Sequence, residues 1–539
     1  MFAPPSQRNG EVILKEVFVR KVKSRSGLWD VKLLVTGFVV AALAVTNVSL
    51  VRGQGPAHDD SVLRESQLHS RQDAAKELAM KITEPFIFAA VGDIIVRRPV
   101  AQLDDAGFQD LVKVMRAADM TYANMEGPII DQSDPNYHGP RTGGPKSIID
   151  DLKLMGIRVM TTANNHSYDG GNEGIFMTNR LLDAAGITHA GTGKDLTEAR
   201  QAQYGITPKG TIGVVGIFAI DTGSLPPSSR ENDARVNWPG TNPLHVTPYN
   251  IVTTDQMASL HKIRDASYAH RSEVTVPVLP TPPGESPNEL FLMGSWFKVG
   301  DKTGSLNYKM EQRDIDGIMQ SIRFGKQNSD FMIVAVHCHQ NSFSYQAYSH
   351  DNSTPDFLVD LAHMAIDNGA DAFVGTGVHT LRGVEIYKGK PIFYGVSNFF
   401  FHDLPTIFIT DPSRPRPAKI ETGWGAGPVG EERGGGAEFG PDDREVLLTT
   451  SRYEGGKLVE VRLYPVDLGI DGTRPISRAG DPTTPSPEQA QRILKLVRDL
   501  SKPFGTTISI ENNVGVIRVA QTVPQTGAKQ SGADRGGAQ

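Results

Sequence analysis

The chain has 539 residues, 39% of them hydrophobic and 22% charged, which supports a sizeable folded core and excludes wholesale disorder. A net charge of −6 argues against a nucleic-acid binder, which normally carries a basic excess. The lone cysteine, Cys338, excludes an intrachain disulfide and any cysteine-rich zinc or iron–sulfur site.

Residues 1–51 read as a signal peptide or signal anchor. Seven basic and three acidic residues precede Leu33–Val51, the uncharged stretch LLVTGFVVAALAVTNVSLV. A basic flank before an apolar run keeps the N-terminus cytoplasmic and sends the rest outward. Ala42-Leu43-Ala44 fits a small-x-small cleavage site, and the run is also just long enough to span, at roughly 19 residues. Cleavage and anchoring both stay open; either places the remainder at the outer side of the cytoplasmic membrane. Without the leader the net charge is −10, so a bound anion needs local basic groups or a metal rather than a general field.

Residues 52–84 form a polar linker with one helix over Ser61–Lys81. The core, 85–410, begins with an apolar run at Phe86–Val91, followed by Met120–Ala123, Arg158–Thr162, Ile212–Ile220, Phe331–Val336, Ala372–Val374 and Pro391–Val396. Helical periodicity lies between them at Val100–Ala117, Asn172–Ala185, Asp314–Phe324 and Pro355–Asn368. Short continuous apolar strands alternating with amphipathic helices define an α/β domain with buried strands. Residues 221–310 read as an irregular insertion, Pro-rich at 271–290. Residues 411–510 continue the same domain, with a Gly-rich loop at 421–440, a hairpin over Val446–Val466 and a helix over Pro487–Leu500. Residues 511–539 are a strand end and a disordered tail.

Several strands end in polar clusters: Val91-Gly92-Asp93, Asn124-Met125-Glu126-Gly127-Pro128, Ala163-Asn164-Asn165-His166, His337-Cys338-His339 and Gly377-Val378-His379. Strand ends fix the backbone while the following loops supply chemistry. Taken singly, each has a bland reading. An Asp after a strand is most often a helix cap or turn residue, Glu126 suits a solvated turn, the asparagine pair suits loop backbone, and His339 suits a satisfied structural residue. Recurrence on most strands of one sheet is harder to explain by turn chemistry. The oxygen and nitrogen donors suit a divalent metal (Mn, Zn, Fe or Mg), as one or two ions. His337 and His339 share a face by the period of two, so either is a possible ligand. Cys338 reads as a small buried residue.

These motifs, together with Leu381 after His379 and Gly395-x-Ser397-Asn398-Phe399, resemble in order and type the capsule-synthesis CapA family. That family is linked to poly-gamma-glutamate production and is similar in fold to calcineurin-like metallophosphoesterases. The resemblance covers 85–410 strongly and the stretch to about 510 more weakly. It implies a four-layer α/β/β/α sandwich with long loop insertions and the site at its strand ends. It also implies metal ligation by Asp93, Glu126, Asn165, His337 and His379, proton transfer by His166, and substrate positioning by Asn164, Arg98 and Asn398. Three departures stand out: Ile95 in place of a histidine two residues after Asp93 (an absence shared with the CapA family), His337-Cys338-His339-Gln340-Asn341 without the Trp-Gly and acidic residue usual there, and Gly377 where a second histidine commonly precedes His379.

The function this implies is an exported envelope protein of capsule or poly-gamma-glutamate synthesis, a metal-dependent hydrolase or transferase acting on a polymer amide or phosphoester. The alternative is a non-catalytic component that binds or tethers the polymer for a membrane synthase. Implied partners are an anionic envelope polymer such as poly-gamma-glutamate, the membrane through the N-terminal segment, and membrane synthase subunits, with no nucleic acid.

Overall fold

The computed structural model describes residues 74–100, 104–221, 237–272, 286–343, 351–402, 445–469 and 477–519, with 234, 421–422, 437–438 and 474–475 between them. The leader, most of the linker, most of the Gly-rich loop and the C-terminal tail lie outside the described residues; of the expected linker helix only Ala74–Glu77 falls within them as helix.

Each apolar run forms a strand. In the first sheet β1 (Phe86–Ile95), β2 (Met120–Met125), β3 (Ile157–Thr161) and β4 (Thr188–Ala190) run parallel. In the second, β5 (Gly210–Asp221), β6 (Pro243–Val252), β7 (Phe331–His337) and β8 (Ala372–Thr376) lie in the parallel order β6-β5-β7-β8. The hairpin of β9 (Val384–Tyr387) and β10 (Lys390–Phe393) completes one edge through a parallel β8–β10 pairing. β11 (Asn398–Phe401) returns to the first sheet beside the end of β1. On that same side of β1, away from β2, the antiparallel hairpin of β12 (Glu445–Glu454) and β13 (Lys457–Asp467) pairs with its first half.

Alternation along these strands makes three cores. Phe86, Phe88 and Tyr122 of the first sheet meet Ile212, Phe331 and Ile333 of the second between the sheets. The outward residues Ala89, Val91 and Met160 pack with α1 (Ala106–Ala117), α2 (Ile148–Met155) and α3 (Gly171–Ala185). On the other side Val215, Ile217, Val334 and Val336 pack with α4 (Gln312–Gln327) and α5 (Asp356–Asp367). The result is the four-layer α/β/β/α sandwich. A strand covered on both faces has no solvated side, which is why FIFAAVGDII is buried at every position but one. The amphipathic α6 (Pro487–Ser501) touches β13 and β9 and closes the sandwich at its side.

The stretch 221–310 is not irregular where it is described. It carries β6, a helix over Thr254–Ser272 and the strands Glu289–Leu292, Ser295–Val299 and Leu306–Met310, which widen the second sheet. Pro243 and Pro248 disguise β6, because a proline has no N–H for the ladder and normally argues against a strand. Pro248 instead stands in register with Tyr308 of an antiparallel neighbour.

α1 starts later than its periodicity suggests, because the Asp105 carboxylate accepts the Phe108 N–H at 2.8 Å and so caps the helix. Asp105→Ala should destabilise the protein by about 1 kcal/mol in urea unfolding. At the opposite end of the sheets from the site, Asp371 is fully buried and takes Lys326 Nζ at 2.6 Å, Lys390 Nζ and the Met332 N–H at 2.9 Å.

Candidate metal centre

The parallel strands of both sheets end at one side of the sandwich, and the donors gather there. Asp93 sits inside β1, at an irregularity where its register pairs it with Asn124 of β2 and Asn398 of β11. Glycine is required just before it: a Cβ on Gly92 would lie 1.7 Å from the Ser397 carbonyl oxygen. That close approach lets the Asp93 N–H donate to Ser397 O at 3.2 Å and fixes the direction of the carboxylate.

Asp93 is fully buried. One oxygen accepts from Asn124 Nδ2 at 2.7 Å and lies 3.5 Å from His337 Nδ1; the other accepts from the Gly377 N–H at 2.9 Å. Burial pushes this carboxyl up, but the neighbouring His337, His379 and the Asn124 amide together hold it below its usual value. Glu126, two residues beyond Asn124, is buried, with one oxygen 3.8 Å from His337 Nε2 and 4.0 Å from both His379 Nε2 and His166 Nε2. Asn165 Oδ1 lies 2.8 Å from His337 Nε2 and 3.3 Å from His339 Nε2. Ligand atoms of Asp93, Glu126 and His337 fall within 4.8 Å of one another, as do those of Glu126, His339 and His379.

The donor set fits a divalent cation. Two carboxylates are withdrawn from water, and among the described residues Asp93 has no lysine or arginine at ion-pair distance. Isolated buried carboxylates are costly unless a cation compensates them. The imidazoles cannot fully do so. Burial drives His339 well below its usual value and takes His379 down to about 4, outweighing the pull of Asp93 and Asn398 on the latter. Neutral imidazoles offer lone pairs. Asn398 Oδ1 is an acceptor 2.7 Å from His379 Nδ1, so Nδ1 carries the proton and Nε2 faces Glu126 with its lone pair.

This has a pH consequence. In the unfolded chain both histidines take up a proton near 6.5, and in the folded metal-free protein they resist it. The unfolded state therefore binds more protons below that point, and stability falls as pH drops from 6.5 towards 4, by up to about 1.4 kcal/mol per pH unit for each group. Chelator-treated protein should melt at a lower temperature at pH 5 than at pH 7.

His166, at the loop after β3, is held differently. Its Nδ1 donates to Asp169 Oδ2 at 2.8 Å, leaving Nε2 directed towards Glu126. The proton-transfer candidate thus has its tautomer set by a carboxylate one turn away.

Of the nine residues singled out from sequence, Asp93, Glu126, Asn165, His166, His337 and His379 come together. The three expected to position substrate are each engaged with other groups of the protein. Asn164 is fully buried, donates to Met125 O at 2.7 Å and accepts the His166 N–H at 3.1 Å, so it shapes the loop. Asn398 is buried and orients His379. Arg98 pairs with Asp481 at 2.8 Å, and Asp481 also accepts from His402 at 2.7 Å. His339, read from sequence as a satisfied structural residue, joins the donors: its Nε2 is 3.1 Å from that of His337. Gly377, in the left-handed region at φ 99°, leaves space for this pair, since a Cβ there would lie 3.1 Å from the His337 ring. Sequence reasoning gave no role to Asn124 and Asp169. Asn124 is two residues before Glu126 and so on its face of the strand; Asp169 is three residues past His166, one turn on.

Residues 87–403 match the sequence model described as "Bacterial capsule synthesis protein PGA_cap". The chain belongs to this family. All the donors of the PGA_cap chain lie inside the matched span. It is 36% identical to "Uncharacterized protein y4sH" of Sinorhizobium fredii over 487 residues, 84% of this chain and 99% of that one. It is 24% identical to "PGA biosynthesis protein CapA" of Bacillus subtilis over 322 residues, 58% of this chain and 62% of the other. A solved putative 5'-nucleotidase from Staphylococcus aureus aligns with 58% of this chain and 49% of its own at 10% identity and a TM-score of 0.28.

Proposed function

We propose that this PGA_cap protein works outside the cytoplasmic membrane as a metal-dependent hydrolase or transferase on an amide or phosphoester of an anionic capsule-type polymer such as poly-gamma-glutamate. The observation that carries the reading is the convergence of Asp93, Glu126, Asn165, His337 and His379 from five strand ends beside an imidazole with a fixed tautomer. A structural cluster would need the donors but not the oriented His166.

Asp93, Glu126, Asn165, His337 and His379 would hold the cation, with Asn124 and Gly377 fixing the Asp93 carboxylate and Asn398 fixing His379. A divalent ion held there would supply Lewis-acid polarisation of a carbonyl or phosphoryl oxygen and would lower the pKa of water towards neutrality. His166 Nε2 delivers a proton to the departing group or takes one up, and Asp169 holds the ring in position. The acidic chain repels a polyanion at long range, which favours recognition close to the cation.

The basic leader followed by Leu33–Val51 supports export, and an uncleaved leader would keep the protein beside membrane synthase subunits. Among the described residues no helix is long and apolar enough to cross a membrane. Protease accessibility of the protein in intact, wall-stripped cells tests the placement: protection from external protease would contradict it.

The activity test incubates full-length protein with poly-gamma-glutamate, and separately with a phosphodiester, with and without chelator. New chain ends that vanish with chelator support the reading. Asp169→Asn should lower that rate by about 10- to 100-fold with bound metal unchanged. Polymer that binds but stays intact, equally well in Asp93→Ala, would support the tethering alternative.

A further inference from the structure

The alternation of β7 continues past its end. Val336 and Cys338 point into the core against α4 and α5, so His337 and His339 point the other way, towards the first sheet. Their Nε2 atoms are 3.1 Å apart, with Asn165 Oδ1 at 2.8 Å from one and 3.3 Å from the other. These three separations are those of adjacent corners of a coordination polyhedron with ligand bonds of about 2.0–2.2 Å. The His379 ring stands 5.2 Å from that of His339, and its Nε2 faces the same Glu126 oxygen as His337 Nε2. Three imidazoles therefore border one space.

We propose that His339 is a metal ligand that decides which metal the site takes. With it the set holds three imidazoles, two carboxylates and one amide oxygen; without it, oxygen donors outnumber nitrogen. Imidazole suits zinc, iron, nickel and copper, whereas carboxylate and carbonyl oxygen suit magnesium, calcium and manganese. His339 tips the site towards the first group. The inference rests on the reading that these residues bind a cation and specifies its class.

The test strips metal from the full-length protein and measures Zn²⁺ and Mn²⁺ affinities separately, by competition with a chromogenic chelator, in the wild type, His339→Asn and His339→Ala. Both variants should lose at least about tenfold in the Zn²⁺ to Mn²⁺ affinity ratio, mainly through weaker Zn²⁺ binding. An unchanged ratio in a folded variant overturns the inference and leaves the cation site standing. A wild type that binds neither ion overturns both. Should neither variant fold, X-ray absorption of wild type loaded with one equivalent of Zn²⁺ decides: three imidazoles on the ion support the inference, and fewer overturn it.

Discussion

Glu126→Ala should leave a folded protein that has lost its bound metal. Glu126 is the one residue common to both donor groups, Asp93–Glu126–His337 and Glu126–His339–His379, so its removal disables both. Ligand loss should cost at least the 10- to 100-fold in affinity seen when groups that merely support a ligand are removed, enough to empty the site during purification. Asp93→Ala strikes only one of the two groups and should retain more metal. Elemental analysis of the three purified proteins checks the ranking; equal metal in all three would contradict it. Folding should survive Glu126→Ala, because the change removes a buried carboxylate that is itself costly to desolvate, and burial keeps His339 and His379 beside it from becoming unpaired cations.

The second large effect lies at the other end of the sheets. Asp371→Ala should destabilise the protein by about 3–5 kcal/mol, since Lys326, only 1% exposed at its side chain, would be left buried without its carboxylate. Burial already lowers the Lys326 pKa against the pull of Asp371. Without that pull the ammonium is forced further towards neutrality. The folded value then sits below the unfolded one, so the unfolded state binds more protons and stability rises with pH up to about 10.5. The deficit should therefore shrink between pH 7 and pH 10. Asp367 makes the contrast, because its pair with Lys388 is solvent-exposed on both sides. Asp367→Ala should cost under about 1 kcal/mol in the same urea titration. Equal losses in the two variants would contradict the account.

The sandwich was readable because its strands are buried on both faces and appear as continuous apolar runs. The strand ends were underread for a related reason. Asp93, Asn124 and His337 are polar, yet each belongs to its strand, since a site built at a sheet edge puts its donors in the last ladder positions. β6 escaped notice because its prolines imitate a loop. Among the donors, metal-type residues at strand ends announced themselves by recurrence. Asn164 and Asn165 are adjacent and chemically identical, and only packing shows that one turns back to Met125 O while the other meets His337. The same holds for Arg98, whose partner Asp481 is nearly four hundred residues away in sequence. Positive φ at His379 and Ser397 is likewise invisible in the letters. It is a backbone cost that the surrounding contacts sustain, among them the Ser397 hydroxyl donating to His379 O at 2.9 Å.

The most direct measurement is anomalous X-ray diffraction from crystals of the full-length protein soaked in Zn²⁺ and, separately, Mn²⁺. The account predicts an anomalous peak bounded by Asp93, Glu126, Asn165, His337, His339 and His379. Saturating metal with no peak there, and unchanged side chains around ordered water, would contradict it.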